Sequence, residues 1–234
     1  MRAENLTTIG FDADDTLWQN ERFFQLTQAR FAELLAEHAG ADHLAERLLE
    51  AERRNLGNYG FGIKGFVLSM IETAIEVTDG AVPGSVIEEL LIAGKEMLRH
   101  PIDLLPHVEE TVAGLAGSYR LVLITKGDLL DQERKLAQSG LGDFFDAVEI
   151  VSEKTPATYA EAFGRHGDGP ERAAMVGNSL KSDVLPALQA GAFAVHIPHE
   201  LTWALEYAVA PESHSRFHSI PHIGDLPAVL RCFA

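Results

Sequence analysis

Leu6-Thr7-Thr8-Ile9-Gly10-Phe11-Asp12-Ala13-Asp14-Asp15-Thr16-Leu17-Trp18 decides the reading of this chain, because a short apolar run breaks off into the acids Asp12, Asp14 and Asp15. A buried parallel strand of an α/β sheet reads as a near-continuous apolar run, and ligands bind just beyond the carboxyl ends of such strands. Asp12 and Asp14 therefore fall at the rim of a sheet. Carboxylates this close repel one another in a low dielectric unless a cation or a proton compensates them. The compensator this pattern expects is Mg²⁺, a hard cation usually held by one or two carboxylates together with substrate phosphate. A helix N-terminus capped by Asp14 or Asp15 would use the same acids. A calcium loop would not, since Leu17 stands where its sharp turn needs glycine and Phe23 where it needs a bidentate Glu.

Downstream the pattern changes. Glu21 to His38, Ala41 to Arg54, Phe66 to Val77 and Gly84 to Arg99 carry apolar residues at helical spacing, with no strand between them. A crossover between parallel strands needs only about a dozen residues, so a block of this length reads as an inserted helical cap. Its boundaries place residues 1–18 and 101–234 in a core domain and 19–100 in the cap. After Pro101 helices and strands alternate. Val108 to Leu115 is helical, followed by a strand at Arg120 to Thr125, a helix at Asp128 to Ser139 and a strand at Ala147 to Val151. A helix at Ala157 to His166, a strand at Ala173 to Val176, a helix at Leu180 to Gln189 and a strand at Phe193 to Ile197 complete the series. The fold class expected is α/β, a doubly wound, mainly parallel, Rossmann-like sheet with a small all-helical cap. The His- and Pro-rich tail from Pro198 to Pro227 has no clear period.

Each remaining polar feature closes a strand. Thr125 is followed by Lys126-Gly127-Asp128, where a hydroxyl and the amides of a glycine turn are ready phosphate donors. Lys154 follows the strand at Ala147 to Val151 and offers one ammonium. Val176-Gly177-Asn178-Ser179-Leu180-Lys181-Ser182-Asp183 brings a carboxamide and an acid. In this order the four segments resemble the signatures of the haloacid dehalogenase superfamily, with the insert where one class of members carries a helical cap. Two departures stand out: Thr155 separates Lys154 from Pro156, and Asn178 replaces the usual first Asp of the fourth signature. A carboxamide oxygen can ligate Mg²⁺ but adds no charge, so weaker metal binding is expected.

The resemblance implies that Asp12 attacks phosphorus, that Asp14 is the acid and base, and that Thr125, Lys126, Gly127 and Lys154 hold the phosphoryl group. It assigns Mg²⁺ to Asp12, Asp14, Asn178 and Asp183. Because Asp14 is present, the phosphatase branch is expected over dehalogenases, which typically lack that acid. A phosphomutase uses the same pair of acids, and a non-catalytic sensor of a phosphorylated metabolite is the alternative that Asn178 keeps open. Within Gly57 to Gly65, Tyr59, Phe61 and Lys64 are the residues expected to select substrate from a loop.

The formal charge of −16, from 35 acids against 19 Lys and Arg, disfavours nucleic acid and anionic lipid as partners. A small phosphorylated metabolite needs only local positive charge. The single cysteine, Cys232, forms no internal disulfide, Met1 to Asn5 lacks an apolar secretion core, and no run of about 18 apolar residues occurs. A cytoplasmic protein is expected. Trp203 and Tyr207 serve equally as core or as the partner face of a homodimer.

Overall fold

The computed structural model describes residues 6–233, and in it the apolar run after Leu6 becomes β1 (Thr8–Phe11), buried at every position. Residues 1–5, on which the expectation of no secretion signal rests, and residue 234 lie outside the described residues. After β1 come α1 (Glu21–Leu34), α2 (Ala41–Tyr59), α3 (Ile63–Val77) and α4 (Gly84–Arg99), then α5 (Val108–Leu115) and β2 (Arg120–Lys126). The order continues with α6 (Leu129–Ser139), β3 (Ala147–Val151), α7 (Pro156–His166), β4 (Ala173–Gly177), a π-helical turn (Leu180–Val184) and α8 (Leu185–Gln189). Then follow β5 (Phe193–His196), β6 (Phe217–Ser219) and α9 (Leu226–Phe233).

The six strands form one sheet in the order β3-β2-β1-β4-β5-β6, and every neighbouring pair is parallel. The strand order reverses direction at β1, the place where open α/β sheets bind ligands. Register fixes what lies there. Phe11 pairs with Leu123 on one side and Val176 on the other, so Asp12 emerges beside the last residues of β2 and of β4.

The tail without a clear period supplies the edge strand β6 and the helix α9. Leu226, Leu230 and Phe233 bury one face of α9 in the main core, and Phe233 stacks on Phe193 of β5. The helix expected from Leu180 starts instead as the π-helical turn. Pro186 has no N–H to give to the Ser182 carbonyl, and that carbonyl accepts from the buried Tyr159 hydroxyl instead (2.9 Å).

The chain divides into two compact units. One takes residues up to Gln19 with Ile102–Lys126 and everything from Gln132 on; the other takes Asn20–Pro101 with Gly127–Asp131. The helical unit has its own apolar cluster, built on Phe31, Leu44, Leu48, Phe66, Met70 and Leu90. Inside it, the loop expected over Gly57 to Gly65 shrinks to Gly60–Gly62. The Asn55 carboxamide donates to Ser69 Oγ (3.1 Å) and to the Glu72 carboxylate (2.7 Å), holding α2 against α3 so that α2 continues through Tyr59. Gly60 and Gly62 turn the chain at φ +70 and +111, conformations that favour glycine. Among the described residues, no helix is long and apolar enough to cross a membrane.

A Cβ on Gly94 of α4 would run into the Val67 side chain of α3. Gly94→Leu is therefore expected to cost about 1–3 kcal/mol of stability by overpacking, measurable by urea unfolding against the wild type.

Candidate active site

Asp12 leaves β1 with its N–H bonded to the Val176 carbonyl (2.9 Å) and its carboxylate buried. Lys154 Nζ donates to Asp12 Oδ1 (2.5 Å) and to Asp183 Oδ1 (2.7 Å). A buried ammonium needs such partners, since leaving it unpaired costs several kcal/mol. Burial opposes its charge, but the two carboxylates outweigh that and hold Lys154 above its ordinary value. One ammonium serves two buried acids, so a negative charge is left over. Burial first, and then repulsion from Asp183, push Asp12 up from 3.8 to about 7 against the pull of Lys154.

The turn after β4 carries the opposing wall. Ser179 Oγ caps the π-helical turn by accepting from the Ser182 N–H (2.9 Å), and the Ser179 N–H donates to Asp183 Oδ2 (2.9 Å). The Asp183 carboxyl fills the space a Cβ at Gly177 would need, which is why glycine precedes Asn178. Thr16 reaches across, its hydroxyl donating to Asp12 Oδ2 (3.1 Å) and accepting from the Asn178 backbone N–H (3.0 Å). The His196 ring nitrogen lies 3.0 Å from the Asn178 carbonyl oxygen, and burial holds that imidazole below its ordinary value.

Asp14 is held by residues that sequence reasoning missed. Lys135 Nζ donates to both its oxygens (2.9 and 3.1 Å), Trp18 Nε1 to Oδ1 (2.7 Å) and Gln132 Nε2 to Oδ2 (3.2 Å). The same Gln132 nitrogen donates to the buried Thr125 hydroxyl (2.7 Å). Gln132 and Lys135 lie one helical turn apart on α6, a spacing readable as one face. Nothing in the sequence ties that face to Asp14.

Lys126, expected to hold phosphate, donates to Glu206 Oε1 (2.7 Å) and Ser182 Oγ (2.8 Å). Glu206 comes from the unperiodic tail and also accepts from the Ser179 hydroxyl (2.6 Å) and the Ser182 hydroxyl. Burial works to raise its carboxyl, but Lys126 and the two hydroxyls win and hold it below its ordinary value. The residue inserted after Lys154 acts locally. Thr155 caps α7 in a reciprocal capping box with Thr158, and Pro156 takes the first turn. Tyr207 is 77% exposed and so forms no part of the core.

Gly127, at φ +136, clusters with the helical unit. Within that unit Tyr59 is half exposed at the end of α2, and Lys64 pairs with Asp128 (2.9 Å), whose carboxyl it holds below the ordinary range. Phe61 sits in the glycine link.

The donor set fits a hard cation in kind. Among the described residues no three His, Cys, Asp or Glu side chains gather as a metal site. The oxygens available are those of Asp12, the Asp14 main chain, Asn178 and Asp183, all hard donors suited to Mg²⁺.

Residues 6–191 match the family model of haloacid dehalogenase-like hydrolases. The chain is 30% identical over 210 residues to a glyceraldehyde 3-phosphate phosphatase of Methanothermobacter thermautotrophicus, covering 85% of this chain and 88% of that one. It is 24% identical over 247 residues to the human N-acylneuraminate-9-phosphatase, covering 99% and 96% of the two chains. The crystal structure of a haloacid dehalogenase-like family hydrolase from Xanthomonas campestris superposes with a TM-score of 0.87 at 40% identity, covering 97% of this chain and 91% of that one.

The raised Asp12 favours the protonated carboxyl in the folded state, so its contribution to stability is present below about pH 4 and lost as pH rises through about 7. In chelating buffer the melting temperature of the wild type should fall relative to Asp12→Asn across that window; parallel curves would exclude it. Glu206→Ala takes the nearest carboxylate from Lys126 and the acceptor from two hydroxyls and should cost about 1–3 kcal/mol, with Glu206→Gln milder, as read by denaturant unfolding.

Proposed function

Because the chain belongs to the haloacid dehalogenase-like hydrolase family, we propose that it is a Mg²⁺-dependent phosphatase of a small phosphate monoester, working through an aspartyl-phosphate. The observation that carries this is the buried Asp12 carboxylate at the end of the central strand, paired with a second acid, Asp14, two residues on. The relatives named as phosphatases support the same reaction class.

In the mechanism, an Asp12 oxygen attacks phosphorus and the bond to the leaving alkoxide breaks. Asp14, protonated when the ester binds, gives that proton to the alkoxide and regains one from the water that attacks the phosphoryl group. Cleavage of the Asp12 acyl phosphate returns the carboxylate and frees inorganic phosphate, so the two half-reactions balance. Lys154 faces the nucleophile directly and offsets charge gathering on the phosphoryl oxygens, a task the Thr125 hydroxyl near the end of β2 would share. Trp18, Gln132 and Lys135 set the direction of the Asp14 carboxylate. Asp12, the Asp14 carbonyl, Asn178 and Asp183 would hold Mg²⁺. When bound, the ion supplies charge screening between the anionic nucleophile and the phosphate.

Phosphate release from a panel of sugar, triose and nucleotide monophosphates tests the reading. It should require Mg²⁺, vanish in Asp12→Asn and fall about 10²–10⁴-fold in Asp14→Asn. Release that survives Asp12→Asn would sink the covalent mechanism.

A further inference from the structure

Asn178 stands where three oxygens of the core unit meet. One terminal atom of its carboxamide lies 3.1 Å from Asp12 Oδ2, 3.1 Å from Thr16 Oγ1 and 3.2 Å from the Asp14 main-chain oxygen. A carboxylate oxygen and a main-chain carbonyl only accept. The single Thr16 proton is in reach of both Asp12 Oδ2 and the Asn178 carboxamide, and the Thr16 oxygen already accepts from the Asn178 backbone. An amide oxygen at that point could take the Thr16 proton but would still face Asp12 and the Asp14 carbonyl as acceptors. With Asp12 ionised, that is tolerable only with a cation among the three. An amide nitrogen there donates to its neighbours and satisfies the cluster without one.

We propose that Asn178 is a reversible stand-in for the cation. With no cation present its NH₂ group points inward and shares its two protons among Asp12, Thr16 and the Asp14 carbonyl; with a cation present the carboxamide turns about its terminal bond and presents its oxygen. The proposal rests on the cation site of the phosphatase reading and adds what the Asp-to-Asn departure does there. Nitrogen and oxygen of the group are nearly the same size, so the exchange needs only a half-turn, which also sets the NH₂ against the donors on its other side and so opposes cation binding. An Asp at this position would set a third carboxylate beside Asp12 and Asp183, with Lys154 alone to offset them, and repel strongly until a cation arrived. Asn178 removes that repulsion, and the entering ion must displace the hydrogen bonds of the NH₂ group. The chain is thereby stable without the ion and binds it weakly, so that occupancy follows the free cation concentration.

The test uses the full chain and Mg²⁺ alone, with no phosphate ester. In chelating buffer Asn178→Asp should melt about 2–4 °C or more below the wild type. On adding Mg²⁺ it should recover and bind the ion at least about tenfold tighter by calorimetry. The wild type needs no substitution for its part: the side-chain ¹⁵N–¹H₂ pair of Asn178 should exchange slowly with solvent in chelator, and shift and exchange faster on Mg²⁺ titration. Equal melting of the two chains in chelator, or equal Mg²⁺ affinity, overturns the stand-in, as does an Asn178 amide signal indifferent to bound Mg²⁺. Failure of both chains to bind Mg²⁺ overturns the cation site and the stand-in with it. The expected stability and binding pattern without phosphate release from any ester would overturn hydrolysis alone and leave the stand-in in place.

Discussion

The ammonium of Lys154, shared between Asp12 and Asp183, is the contact on which the rest of the site depends. Its side chain is 2% exposed and those of the two acids 10% and 1%. Removing Lys154 would leave two carboxylates uncompensated in a dry interior. The three come from the carboxyl ends of β1, β3 and β4, and β3 is not a neighbour of either of the others in the sheet. The contact therefore forms only when β2 and β1 are in register between them. Here folding of the sheet and assembly of the site are one event, not two.

Around that contact the polar groups are arranged as a closed outer layer. Gln132 joins Thr125 to Asp14, Lys135 anchors Asp14, and Glu206 ties Lys126 to the Ser179 and Ser182 hydroxyls. Buried polar networks add rigidity only when every member is satisfied. The π-helical turn belongs to the same arrangement: it puts Asp183 over Gly177 and leaves the Ser182 carbonyl for Tyr159, so that a regular helical bond is given up for placement of an acid.

The strands, the order of helices and the residues at strand ends are legible because each depends on local information. Apolar runs mark buried parallel strands, and an acid or hydroxyl that ends such a run stands at the rim whatever its partners are. What stays hidden depends on long-range pairing. Lys135 and Gln132 look like an ordinary polar helix face until α6 is docked, and Glu206 lies in a tail whose apolar residues have no period. Lys126 reads as a phosphate donor from its neighbours along the chain, while the carboxylate that engages it lies 80 residues away. The Gly57 to Gly65 stretch misleads in the opposite sense. Its four glycines argue for a loop, and the tertiary bonds of Asn55 carry the helix through the first of them.

These pairings also bear on how a chain with a formal charge of −16 would admit the anionic substrate of the proposed reaction. Long-range repulsion is screened over about 8–10 Å of physiological salt, so the balance close to Asp12 decides. There Asp12, Asp14, Asp183 and Glu206 meet Lys126, Lys135 and Lys154, and each ammonium lies against at least one carboxylate. Glu153 also lies 3.5 Å from Lys126, so carboxylates outnumber the ammonium groups, and the elevated Asp12 registers that surplus. Under the proposed function a divalent ion would offset the surplus and lessen the repulsion of a phosphate. With Asp in place of Asn178 the same ion would have one more carboxylate to offset. The neutral carboxamide, at the expense of cation affinity, would leave a loaded site less repulsive to an anion.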